Sequence, residues 1–65
     1  MARYVIVVNV GGDEINVDVS KNNKFVDEAS FHISEIDEFS EYMDYITTQI
    51  LREIMGEDVF QEKNK

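Results

Sequence analysis

The chain has 65 residues, no cysteine, and 14 acidic against 6 basic side chains, for a formal net charge of −8. A chain this short makes a single domain, which buries only about 60% of its unfolded surface and gains about 3–5 kcal/mol from its core unless disulfides, a metal or self-association help. Without Cys and with one His, disulfides and thiolate or His-rich metal sites are excluded, so a homodimer is expected.

The charge also sorts the partners. A phosphate-neutralising surface is not expected on so acidic a chain, so direct binding to nucleic acid is not expected either. An anionic membrane would repel it, and basic protein surfaces would attract it. Hydrophobic residues make up 43% of the chain, too many for a disordered acidic segment. No apolar run approaches the roughly 20 residues that span a bilayer. Absent Cys and Asn-x-Ser/Thr sequons point to an intracellular protein.

Residues 3–10, Arg-Tyr-Val-Ile-Val-Val-Asn-Val, are dense in β-branched and aromatic side chains and predict a strand. The start of the chain lacks the small-residue cleavage site of a signal peptide, and Asn9 and Gly11-Gly12 interrupt it. Gly11-Gly12-Asp13 supplies turn chemistry. Residues 14–20 alternate, Ile15, Val17 and Val19 against Asn16, Asp18 and Ser20, so residues 3–20 predict a β-hairpin. Lys21 to Lys24 forms a polar turn. Residues 25–33 predict a third strand, bulged or broken near Asp27-Glu28, with Phe25, Ala29, Phe31 and Ile33 on one face.

Ser34 has the character of a helix N-cap, with Asp37 three residues on. Ile36, Phe39, Met43, Ile46, Ile50 and Ile54 then recur at intervals of three and four, which predicts a helix over 35–55 stopped by Gly56. Tyr42, Tyr45 and Leu51 widen its apolar band. The tail 57–65 is polar, and only Val59 and Phe60 offer it packing. The expected fold is α+β: a small antiparallel sheet of two to three strands with one long C-terminal helix packed on one face. The first strand is apolar on both faces. Its second face calls for self-association through a sheet face or edge or, were that strand central, for cover by the tail.

No catalytic signature accompanies this framework. Gly11-Gly12 lacks the Lys and Ser/Thr of a phosphate-binding loop. His32 is read as an exposed or hydrogen-bonded strand His, with no Ser or Cys nucleophile visibly paired with it, and Asp37-Glu38-Phe39-Ser40-Glu41 lacks the spacing of a calcium loop. A non-enzymatic protein without cofactor or metal is expected.

What remains is charge asymmetry. Between Lys24 and Arg52 there is no Lys or Arg, yet Asp27, Glu28, Glu35, Asp37, Glu38, Glu41 and Asp44 lie there. Helical residues three or four apart stand about 5–6 Å from each other, so Asp37–Glu41, Glu38–Glu41 and Glu41–Asp44 form a carboxylate ladder. Each like-charge pair costs a few tenths of a kcal/mol. The helix dipole excuses Glu35, Asp37 and Glu38 at the N-terminus, but not Glu41 and Asp44. Duplex DNA carries about one negative charge per 1.7 Å of axis, in rows that such a ladder imitates. Asp13, Glu14 and Asp18 of the hairpin offer to extend the row.

In size and charge, and in the run Ser34-Glu35-Ile36-Asp37-Glu38-Phe39-Ser40-Glu41-Tyr42-Met43-Asp44, the chain resembles phage-encoded DNA mimics that disable host DNA-binding proteins, the nucleoid protein HU among them. The resemblance implies inhibition by electrostatic competition at a basic host protein in the bacterial cytoplasm, with Glu35, Asp37, Glu38, Glu41 and Asp44 in contact and Asp27 and Glu28 behind them. The rival expectation is a small adaptor or inhibitor that binds a host enzyme through a sheet edge or through Tyr42 and Tyr45.

Overall fold

The computed structural model describes residues 2–56, so Val59 and Phe60 lie outside the described residues. Three strands, β1 (Tyr4–Gly11), β2 (Glu14–Lys21) and β3 (Lys24–His32), form an antiparallel meander in the order β1-β2-β3. A 3-10 turn over Ile33–Glu35 leads into one helix, α1 (Ile36–Ile54). The fold is α+β, with a single helix on one face of a three-stranded sheet.

Both hairpin loops hold two residues, and each obtains its positive φ angles differently. Gly12 sits at φ +59°, with the sign pattern of a type II′ turn. Asn22 and Asn23 sit at +55° and +68°, a type I′ pair built from the residue type that tolerates this region best after glycine. Asn22 also closes the sheet end: its N–H donates to the Arg3 carbonyl at 2.8 Å, and its Oδ1 accepts from the Arg3 N–H at 2.9 Å.

The alternation of β2 decides the core. Among the described residues, Ile15, Val17, Val19 and, from α1, Ile46 are the buried ones. Ile6, Val26, Phe31, Phe39, Tyr42, Met43 and Ile50 pack around them. Phe31 meets Phe39 edge-on at 6.0 Å between centroids and Tyr42 at 5.7 Å, which ties β3 to the first half of α1. Since β2 is central, the alternative in which the first strand is central does not hold: β1 is an edge.

The register slips between Val19 and Ser20, so that Val19 faces Asp27 and Ser20 faces Phe25, with Val26 as the extra residue. This bulge corrects the face assigned to Phe25. Asp27, Ala29 and Phe31 stand opposite Val19, Val17 and Ile15 on the helix side, while Phe25 turns to the open face and is 69% exposed.

The helix entry differs from expectation in one detail. The cap is His32, not Ser34. The His32 Nδ1 accepts from the Ser34 N–H at 3.1 Å, and Glu35 Oε1 accepts from the His32 N–H at 2.8 Å, a reciprocal capping box around the 3-10 turn. The Ile33 N–H donates to the Asp13 carbonyl at 2.7 Å, which holds this turn against the first hairpin loop. At the far end the Gly56 N–H donates to the Glu53 carbonyl, and Gly56 takes φ +99°, the stop expected of it. The end positions of the predicted stripe miss the sheet: Ile36 is 53% and Ile54 70% exposed.

Candidate functional site

Helical phase places the acidic residues. With Ile46 centred on the sheet, Asp37, Glu41 and Asp44 fall on the outermost face of α1, and Glu38 falls on the flank that Tyr42 turns toward β3. All four are exposed, as is Glu35. Asp37 and Glu38 occupy the first helical turn, where the dipole favours them. Glu35 lies outside α1, in the 3-10 turn, and spends one carboxylate oxygen on the His32 N–H, so it serves the helix start and not the outer row.

Asp27 and Glu28 separate. Asp27 lies on the helix side of the sheet, half-buried, and its Oδ2 accepts from the Tyr42 hydroxyl at 3.0 Å. Burial first, and this hydrogen bond second, push the Tyr42 phenol well above its ordinary value of 10.0. Asp27 thus docks the helix and is not part of the outer row. Glu28 points to the open face of the sheet, directly across from Asp18.

The open face carries its own acidic group. Glu14, Asp18 and Glu28 are exposed there, around a shallow depression of about 550 Å³ lined by Asn9, Asn16, Asp18, Glu28 and Ser30 among others. Ser30 Oγ donates to Asn16 Oδ1 at 2.7 Å across its floor. The negative charge is therefore divided between the outer face of α1 and the opposite side of the molecule, and the hairpin carboxylates do not extend the helical row.

An ion pair joins Lys21 Nζ to Glu53 Oε2 at 2.6 Å, with neither residue in the row. The hydrogen bond from Lys21 holds the Glu53 carboxyl below its usual range, and the same bond raises Lys21. Tyr4 completes the cluster: the Lys21 ammonium lies 5.8 Å from its ring centroid, and burial first, then the nearby Glu53 carboxylate, raises its phenol. This lock fastens the end of α1 to β1 and β2. No sequence pattern announces it, because its members lie far apart in the chain; only the position of Glu53 on the helix face shared by Ile46 and Ile50 hints at it.

Among the described residues, no group of three or more His, Asp or Glu side chains stands close enough to hold a metal ion. No helix there is long and apolar enough to cross a membrane. No protein-family model, no curated protein and no solved structure matches the chain.

Proposed function

We propose that this protein is a DNA-mimicking inhibitor that occupies the basic nucleic-acid-binding surface of a bacterial host protein, with the outer face of α1 in contact. The observation that carries the reading is the exposed ladder of Asp37, Glu41 and Asp44 flanked by Glu38, standing on a helix whose other face is packed. Helical carboxylates about 5–6 Å apart present an anionic row on a rigid support, and binding releases counterions from both surfaces. A nucleoid protein of the HU type in the bacterial cytoplasm is the first candidate partner.

The test is competition. The chain should displace duplex DNA from such a basic protein, and its affinity should fall steeply as salt rises. Glu38→Lys with Glu41→Lys should abolish displacement with the circular dichroism spectrum unchanged, while Glu28→Lys on the open sheet face should bind as the parent does. Full affinity in the double variant would remove the proposal. Exposed Tyr45, Leu51 and Ile54 favour a second reading, an adaptor that binds through apolar surface. Its binding would tolerate salt and fail on Tyr45→Ala. Tyr42 is committed to Asp27 and Phe31 and drops out of that reading.

A further inference from the structure

We propose that β1 is a dimerisation edge, pairing antiparallel with β1 of a second copy about a two-fold axis at Val7 to give a continuous six-stranded sheet. Hydrogen-bond parity sets which residues of β1 are free to pair. In an antiparallel pair, alternate residues direct N–H and C=O toward the neighbouring strand. Gly11 and Glu14 flank the two-residue first loop, and the Arg3 carbonyl accepts from Asn22 at the other end, so the odd-numbered residues of β1 face β2. Ile6, Val8 and Val10 direct their backbone groups to the open edge.

The two edges of the sheet are unlike. β3 carries Lys24, Asp27 and Glu28 and is bent by the bulge at Val26, features that blunt an edge against pairing. From Tyr4 to Gly11, β1 has no charged side chain, no proline and no register shift. In a chain of net charge −8, this uncharged strand lets a second copy approach with least repulsion.

The sequence of β1 is self-complementary about Val7. In that register Ile6 of each copy exchanges backbone hydrogen bonds with Val8 of the other. Val10 comes opposite Tyr4 of the second copy on the helix side, and the two Val7 side chains meet on the open face. Every exposed valine of the strand, Val7 at 43%, Val8 at 40% and Val10 at 64%, thereby gains an apolar neighbour. An edge of this length, about 27 Å at 3.4 Å per residue, gives less than the roughly 800 Å² per partner of a standard interface. The remainder comes from the flank of α1 opposite Tyr42, where Ile36 and Ile54 stand exposed. A concentration-dependent dimer follows. Its axis, perpendicular to the sheet, puts both helices on one side. The inference stands on β1 and makes no use of the acidic row.

Sedimentation of the full chain should give a mass rising toward twice 7.6 kDa from low to high micromolar concentration, and Val10→Lys should hold it at one chain mass. Across the axis Val7 forms a non-hydrogen-bonded pair with Cα atoms about 4.5 Å apart, within disulfide reach. In this cysteine-free chain, Val7→Cys should therefore cross-link nearly completely on mild oxidation, while Ser30→Cys on β3 should link only to the extent that random collision allows. A mass of 7.6 kDa at all concentrations overturns the proposal. So does a Val7→Cys variant that links no faster than Ser30→Cys, a reading that decides the matter even if Val10→Lys fails to fold.

Discussion

Glu53 shows how one side chain takes its role from what the fold sets beside it. On the helix it is one more carboxylate in an acidic chain, but against Lys21 and Tyr4 it is a fastener with its carboxyl held below the usual range. A group with a depressed folded value adds stability that is complete above its unfolded value, near 4.5, and is lost as pH falls through the depressed one. The gap in urea midpoint between the parent and Glu53→Gln should therefore be full at neutral pH and close as acid takes the pH down through the depressed folded value. A gap independent of pH would mean that Lys21 does not distinguish carboxylate from amide. Asp27 makes the same point from the other side: the carboxylate at the bulge accepts from Tyr42 and holds the helix down. Glu35 caps the 3-10 turn, and Glu35→Gln separates that bond from its charge, since glutamine keeps the capping acceptor.

Among the elements, the loops were set by local chemistry and β3 by its neighbours. The Asn22-Asn23 turn needs two positive φ angles, and Asn-Gly is the pair that such a turn accommodates best. Replacing Asn23 by Gly should relieve the residual left-handed cost by about 0.5 kcal/mol, which raises the melting temperature by roughly 2–4 °C in a domain of this size. A lower melting temperature in that variant would show that the Asn23 side chain contributes contacts of its own. The bulge at Val26 could not be placed to the residue from alternation. An extra residue shifts which side chains face the core, and only pairing with β2 fixes where the slip falls.

For the whole molecule the balance is between a small core and a large charge. Among the described residues Ile15, Val17, Val19 and Ile46 are the buried ones, and a net charge of −8 opposes compaction. Salt should consequently stabilise the protein. The melting temperature should rise between ionic strengths of about 0.01 M and 0.15 M, over which the screening length falls from about 30 Å to about 8 Å. A falling value would show that attractions such as Lys21–Glu53 outweigh the repulsion. A single helix covers one face of the sheet and leaves the valines of β1 exposed at its edge, the arrangement from which the dimer inference grows.

The order of elements, the alternation of β2, the helix stripe and its glycine stop were legible because each is a periodic or turn signal carried by neighbouring residues. So was the exposure of Asp37, Glu38, Glu41 and Asp44, which follows from helical phase once Phe39, Met43 and Ile46 are packed, whereas Glu35 lies in the 3-10 turn before α1. Tertiary structure alone decided that β1 is an edge, that Phe25 turns outward, that His32 caps the helix entry, and that Asp27 and Glu28 part to opposite faces. The physical reason is range. A side chain's face within an element follows from local geometry, whereas strand order, the position of a bulge and the partner of a lone charge depend on residues brought together from distant parts of the chain.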